Sequence, residues 1–337
     1  MDINEKYMRR ALELAARGRG SASPNPMVGA VIVAPDGRII GEGWHRRCGQ
    51  AHAEVNAVNS ITATDRKLLP LSTIYVTLEP CAHYGKTPPC ATMLVREGIR
   101  RVIIASVDPF AKVDGRGIAI LRESGAEVVS GVLNEEARRL NAKFFTAHTH
   151  HRPWITLKWA QSADGWLDYR RQPDENPALF STPLSAVAVH RLRASHDAIA
   201  VGARTLFADH PKLTLRLWPG KNPQRIIFDT HGTLILPEGF DALVADLSRK
   251  SLLQSLNELY SRGISSLLVE GGARTLEMFI SSGIWDAARV ETSTALLGDK
   301  GRARAPEIGH KTLGIEHFDQ NMVRYYFNNP LADVKNL

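Results

Sequence analysis

Residues 73–90 read Thr-Ile-Tyr-Val-Thr-Leu-Glu-Pro-Cys-Ala-His-Tyr-Gly-Lys-Thr-Pro-Pro-Cys. The β-branched and aromatic opening predicts a strand over Thr73–Leu78. Pro80 stops it, so Cys81 stands at a strand end, and Cys90 follows after an eight-residue insertion rich in Pro, Gly and polar groups. Upstream, His52-Ala53-Glu54 opens a helical stretch just after Gly49. One histidine and two cysteines make three zinc ligands, and three protein ligands leave the fourth tetrahedral position to water, the catalytic pattern. Zinc bound to thiolates acidifies that water, and Glu54, two residues from the histidine, is placed to take its proton and pass it to a leaving amine. Singly, Cys81 and Cys90 read as buried thiols and His52 as a helix-start residue. Together, at a strand end and a helix start, they point to a catalytic zinc. Cys48, the third cysteine, lies outside the pattern.

Around this stretch the periodicity extends. Met8, Ala11, Leu12, Ala15 and Ala16 form one apolar helix face that ends at Gly18 and Gly20. Strands at Val28–Val33 and Arg38–Gly43 flank the turn Pro35-Asp36-Gly37 and predict a hairpin. Further strands are expected at Arg101–Ala105 and Glu127–Ser130, with helices at about 52–60, 91–97 and 115–124. Strands separated by helices imply a largely parallel sheet covered on both faces. His-Thr-His-His-Arg-Pro, 148–153, reads as a solvated linker rather than a metal site, dividing a domain over 1–147 from one over 154–337. The second half opens with a strand at Trp154–Trp159. It continues with strands near 198–201, 225–228, 242–245, 266–270 and 287–291 and helices near 184–194, 249–262 and 274–282, a second α/β domain. The halves share no motif, and the polar tail from Asn328 is expected to fray.

Composition narrows the function classes. The 337 residues are 44% hydrophobic and 23% charged, which excludes disorder, collagen and coiled coil. No stretch approaches the roughly 18–20 apolar residues of a membrane span. The start does not read as a signal peptide, so a cytoplasmic protein without a membrane partner is expected. Net charge is 42 − 35 = +7, which suits an anionic ligand. The Lys and Arg residues are dispersed, so no nucleic-acid partner is expected.

The elements His52-Ala53-Glu54 and Pro80-Cys81 are similar to those of zinc-dependent nucleobase deaminases, in which the glutamate is not a ligand. With Pro24-Asn25-Pro26-x-Val28-Gly29, Gly41-Glu42-Gly43-Trp44-His45 and the long Cys81–Cys90 insert, the first half closely resembles the bifunctional riboflavin-biosynthesis deaminase/reductase family. Asp108-Pro109 with Gly115-x-Gly117 and Gly125 continues the likeness. Related nucleoside and editing deaminases usually carry Cys-x-x-Cys, so the insert is the specific feature. The resemblance implies a cytidine-deaminase-like three-layer α/β/α domain in which Asn25, His45, His83 and Lys86 contact substrate, Lys86 through its phosphate.

In the second half, Lys158-Trp159-Ala160-Gln161-Ser162-Ala163-Asp164-Gly165 resembles the opening of that family's dihydrofolate-reductase-like α/β domain. Leu192-Arg193-Ala194, Gly202-x-x-Thr205, Ala208-Asp209-x-Pro211-x-Leu213-Thr214-x-Arg216 and Val269-Glu270-Gly271-Gly272 follow in the family's order. The resemblance implies NADPH lined by Ala160, Thr205, Asp209, Thr230 and the stretch from Gly272. It puts Leu213 and Glu270 on the substrate, and the guanidinium chemistry of Arg193 and Arg216 suits them to clamp its phosphate. No Gly-x-Gly-x-x-Gly motif follows a strand, so the cofactor rests on the resemblance alone. Outside the motifs, Lys86 reads as a solvated loop lysine, Arg193 as a solvated helix face, Glu270 as a strand-end cap and Gly271-Gly272 as a turn.

The implied activity is zinc-dependent hydrolytic deamination of 2,5-diamino-6-(5-phosphoribosylamino)pyrimidin-4(3H)-one, followed by NADPH-dependent reduction of ribosyl to ribityl. The partner is then a phosphoribosylated pyrimidine, and family members often form homo-oligomers. One segment departs. Where the family has Ser-x-Trp-Ile-Thr before a proline, this chain has Pro177-Ala178-Leu179-Phe180-Ser181 before Thr182-Pro183. The missing serine and tryptophan favour an alternative, a deaminase whose reductase domain is degenerate or repurposed. A second alternative is an editing deaminase whose second domain grips RNA.

Overall fold

The computed structural model describes residues 2–82, 88–110, 113, 115–172, 175–309 and 312–334. It divides into two compact units, Met1–Thr149 and His150–Leu337.

The first unit contains α1 (Ile3–Ala16), β1 (Gly29–Val33), β2 (Ile39–Trp44), α2 (Ala53–Asn59), β3 (Thr73–Leu78), α3 (Cys90–Arg96), β4 (Arg101–Ser106), α4 (Arg116–Glu123), β5 (Glu127–Ser130), α5 (Asn134–Leu140) and α6 (Ala142–His150). The strand order is β2-β1-β3-β4-β5. β1 runs antiparallel to β2 and β3, whereas β3, β4 and β5 run parallel. The expected largely parallel sheet is thus corrected to a mixed one, because the Pro35–Gly37 turn reverses the chain at one edge.

Period-two alternation sends Ala30, Ile32, Ile74, Val76, Val102 and Ile104 to one face, under α2, α3 and α4. Val31, Val33, Tyr75, Ile103 and Ala105 go to the other, under Met8, Ala11 and Leu14 of α1 and Ala137 of α5. Three layers, α/β/α, result. Close contact of α2 with β2 depends on glycine, since a Cβ on Gly43 would lie 2.3 Å from the backbone nitrogen of Ala57. That approach sets the height of α2, and so of His52 and Glu54, above the sheet. α6 runs through His150, so the first half of the expected linker is helix, with His148 against Phe144 at 4.5 Å between ring centroids.

The second unit contains β6 (Trp154–Gln161), β7 (Trp166–Tyr169), α7 (Pro183–Ala194), β8 (Ala198–Gly202), α8 (Ala203–Asp209), β9 (Gln224–Asp229), β10 (Leu243–Asp246), α9 (Leu252–Ser261), β11 (Ser266–Val269), α10 (Ala273–Ser282), β12 (Ala287–Thr292), β13 (Gly301–Arg304), β14 (Thr312–Phe318) and β15 (Asn321–Phe327). Its main sheet has the order β10-β9-β8-β11-β6-β12-β15-β14, while β7 and β13 form a separate ribbon. The six strands from β10 to β12 are parallel, and β15 and β14 add an antiparallel edge. One face packs Ile155, Leu157, Phe228, Leu267 and Val290 against Leu256 and Leu259 of α9 and Leu276 and Phe279 of α10. The other places Ile199, Val201, Ile227 and Leu268 under Leu192 of α7 and Leu206 of α8.

The tail is tied down where fraying was expected. The side-chain amide of Asn328 donates to the carbonyls of Gly283 and Trp285, and that of Asn329 to Asp286 at 2.8 Å. Asp286, 1% exposed, also accepts from the backbone of Ile155 at 2.7 Å and from Arg152 at 2.7 and 3.0 Å. One buried carboxylate therefore fastens both the entry to β6 and the end of the fold, which satisfies polar groups that the composition of the tail alone leaves open. No helix among the described residues is long and apolar enough to cross a membrane.

Candidate active sites

In the first unit, His52 caps α2 from an extended conformation, Cys81 follows Pro80 beyond β3, and Cys90 opens α3. Their ligand atoms all lie within 4.8 Å of one another. Nδ1 of His52 is 3.6 Å from Sγ of Cys81 and 3.4 Å from Sγ of Cys90. The Cys90 backbone N–H donates to Cys81 Sγ at 3.3 Å. The hydrogen bond from Cys90, joined by that from His52 against the opposing effect of burial, pulls the Cys81 thiol down to about 4. One imidazole and two thiols, at least one of them held as thiolate, form a donor set that suits zinc. Glu54, in the first turn of α2, is 3% exposed. Burial first, then the charge of Cys81, pushes its carboxyl up to about 7.

The Asn25 amide lies 3.1 Å from His45 Nε2, and His45 Nδ1 lies 3.2 Å from the Ala51 carbonyl. That pattern assigns a neutral ring protonated on Nδ1, and burial holds its pKa below the ordinary value. The ring stands edge-on to His52 at 5.5 Å. Asn25 and His45 are thus gathered beside the three ligands, whereas His83 and Lys86 lie outside the described residues.

Sequence reasoning passed over Glu79. Its buried carboxylate accepts backbone N–H groups of Asp108 at 3.3 Å and Gly115 at 3.0 Å on one oxygen, and of Gly117 at 2.9 Å and Ile118 at 3.2 Å on the other. These bonds fasten the loop that carries Cys81 to the start of α4. Glu79→Ala leaves the amides without their acceptor, and a loss on the order of 3 kcal/mol is expected. A thermal melt and zinc retention against a chelator check it; unchanged values in both would remove the role.

In the second unit Arg193 of α7 grips Glu270 with two bonds of 2.7 Å and donates to the Thr214 carbonyl at 3.1 Å. Its fork is thus engaged by a carboxylate rather than held open for a phosphate. Arg216 is exposed, with its side chain donating to Thr214 Oγ1 at 3.3 Å, and Leu213 is buried beneath. Burial pushes the Glu270 carboxyl up, and Arg193 beside it outweighs this and holds it below the usual range.

Lys158, quoted in the motif without a role, lies half-buried on β6. Register puts it beside Arg289 of β12, and Glu270 directly follows β11, the neighbour on its other side. Its side chain makes no ion pair or hydrogen bond among the described residues, and burial lowers its pKa. The Ser162–Gly165 motif forms a clamp. Asp164 accepts from Ser162 Oγ at 2.7 Å and from the backbones of Leu297 and Gly298 at 3.1 and 2.7 Å, which holds its carboxyl at about 2.

The expected cofactor residues gather in part. Gly272 caps α10 and Gly202 caps α8, and the Gly202 N–H donates to the Gly271 carbonyl at 3.1 Å. A Cβ on Gly272 would lie 2.9 Å from Thr205 Oγ1 and one on Gly202 2.5 Å from Thr275 Oγ1, so backbone and two hydroxyls crowd where side chains are excluded. Such a cradle at the start of α10 fits a dinucleotide phosphate. Ala160 lies near the end of β6, and Thr230 is exposed just past β9. Asp209, at the end of α8, is paired with Arg171, two residues past β7. In the departing segment 177–181, Leu179 is 88% exposed, whereas Phe180 is 9% exposed and its carbonyl accepts from Asn321 at 2.7 Å. Phe180 thus supplies the segment's buried aromatic ring.

Comparison with known proteins follows the same division. Residues 1–106 match the cytidine and deoxycytidylate deaminase zinc-binding region, and residues 153–323 the RibD C-terminal domain. Riboflavin biosynthesis protein RibD of Aquifex aeolicus is 37% identical over 327 residues, spanning 88% of this chain and 89% of that one. RibD of Escherichia coli is 33% identical over 344 residues, 89% of this chain and 90% of that one. A solved diaminohydroxyphosphoribosylaminopyrimidine deaminase/5-amino-6-(5-phosphoribosylamino)uracil reductase from Thermotoga maritima superposes with a TM-score of 0.80 at 34% identity, over 96% of this chain and 98% of its own. RibD of Acinetobacter baumannii gives 0.83 at 31% identity, with the same coverage of both chains.

Proposed function

Because the chain belongs to the RibD family of riboflavin biosynthesis, we propose that the two assembled sites are its deaminase and reductase centres, acting in turn on one phosphoribosylated pyrimidine in the cytoplasm. The protein is a bifunctional enzyme, a zinc-dependent pyrimidine deaminase and an NADPH-dependent reductase. Neither the deaminase-only nor the RNA-editing reading finds support among these relatives.

For the first centre, His52, Cys81 and Cys90 would hold zinc, which when bound would supply an acidified water. Glu54 accepts a proton from water and delivers protons to the adjacent ring nitrogen and the 2-amino group, so that N=C–NH2 plus H2O becomes HN–C=O plus NH3. Asn25 and His45 orient the pyrimidine edge. The observation that carries this reading is the convergence of the three ligand atoms within 4.8 Å beside a buried carboxyl.

For the second centre, Gly202, Thr205 and Gly272 would hold NADPH, which when bound would supply a hydride. Lys158 supplies the accompanying proton as ribosyl becomes ribityl. Glu270 and Arg193, locked together, form the wall beside it, and exposed Arg216 meets the phosphate.

A paired assay tests both halves. Ammonia released from 2,5-diamino-6-(5-phosphoribosylamino)pyrimidin-4(3H)-one is followed first, then NADPH absorbance in the same tube. Both signals are expected. Ammonia without NADPH loss would overturn the reductase assignment and return the weight to the altered 177–181 segment.

A further inference from the structure

A second buried charge pair stands beside Lys158 and takes no part in the assignments above. Arg289 is 2% exposed and Glu291 0%. In the β6–β12 register Arg289 faces Lys158 and Glu291 faces Ala160, so these side chains leave the sheet on the same face. Glu291 Oε2 accepts from Ser181 at 2.9 Å, Ser185 at 2.5 Å and Arg289 at 3.4 Å, and Oε1 accepts from the Asn321 amide at 2.7 Å. That amide also donates to the Phe180 carbonyl, while Arg289 donates to Ser185 at 3.1 Å and lies over the Phe318 ring. A buried ion pair is often no more stabilising than an apolar pair of the same shape, so stability alone is a weak account of this one.

We infer that Arg289 and Glu291 are positioning residues of the reductase: they seat the Phe180–Thr182 segment against the sheet and set the balance of charge at the Lys158 ammonium. This rests on the reading of Lys158 as proton donor. The groups facing Lys158 are Glu270 beyond β11, Arg193 and His190 of α7, and Arg289 and Glu291 of β12. Behind Arg289 stands Tyr325 of β15, bonded to Glu316 of β14. Glu270 is neutralised by Arg193, so Arg289 and Glu291 supply the opposing charges that substitution can separate. Arg289 favours the neutral amine of Lys158 and Glu291 the ammonium. Glu291 itself, pushed up by burial, is held ionised by its bonds from Ser185, Asn321 and Ser181.

The test uses the full chain with the deaminated 5-amino-6-(5-phosphoribosylamino)uracil and saturating NADPH, and reads the pH at which kcat falls as the donor loses its proton. Arg289→Gln removes a cation, raises the Lys158 pKa and moves the alkaline limb to higher pH. Glu291→Gln removes an anion and moves it to lower pH. Each shift is expected at about 0.5–1 pH unit. The double variant should return close to the parent. A merely structural pair would lower turnover in both single variants without opposite shifts, and that result, or a limb that stays fixed, overturns the inference. Each single variant carries its own sign, so either decides if the other does not fold, with ammonia release and a thermal melt reporting folding. Reduction that survives Lys158→Met with an unchanged pH profile would instead remove the donor reading on which the inference stands.

Discussion

Glu54→Gln is expected to keep its zinc and lose deamination by about 10²- to 10⁴-fold, the usual contribution of a positioned acid-base group. Glutamine matches the shape of the buried carboxyl at the first turn of α2 and keeps an oxygen toward Cys90, with which Glu54 hydrogen-bonds, so the cap at His52 is left undisturbed. What it lacks is an oxygen able to take a proton from water and return it to the leaving amine. Zinc content by atomic absorption, ammonia release from the diaminopyrimidine, and NADPH consumption with the deaminated substrate separate the possibilities. The expected pattern is full zinc, no ammonia and normal reduction. A variant that deaminates normally would sink the proton-shuttle role. One that loses its metal would show that Glu54 supports the ligands rather than the chemistry.

The two sites differ in how far the sequence discloses them, for a physical reason. In the first, the ligands are rare residue types, and each sits at a local boundary, a strand end or a helix start, that short-range pattern predicts. Glu79 is different: its role exists only once the α4 start folds over the loop, and a glutamate before Pro-Cys reads as an ordinary polar residue. In the second unit the polar row is assembled across parallel strands. Arg193 and Glu270 meet over a separation of 77 residues, and Lys158 meets Arg289 through β6–β12 pairing. No local spacing encodes such a row. The signal that was available is Ala-Ala-Arg-Val-Glu-Thr over 287–292, in which Arg289 and Glu291 recur at period two on a strand covered on both faces. Charges there demand partners. Strand β14 escaped for the opposite reason, since it is the edge of the sheet, largely exposed and without an apolar run. Asn328 and Asn329 look like a fraying tail until Asp286 is seen to accept from them.

Lys158→Met is expected to reduce NADPH oxidation by about 10²- to 10⁴-fold while ammonia release is unchanged. Both nearby carboxylates already have arginines, Glu270 at 2.7 Å from Arg193 and Glu291 at 3.4 Å from Arg289. Unlike a lysine committed to a structural ion pair, Lys158 therefore keeps its ammonium for the ligand, and burial brings its pKa down toward the range where an acid can give up its proton. Methionine keeps the length and apolar stem of the side chain, so the packing of β6 is retained and only the charge and proton are lost. Steady-state kinetics divide the outcomes. A fall in kcat with NADPH affinity intact identifies a group that acts on the reacting atoms. A rise in the KM for the pyrimidine with kcat preserved would mean that Lys158 only anchors an anion, and the proton would then have to come from another residue of the row or from water.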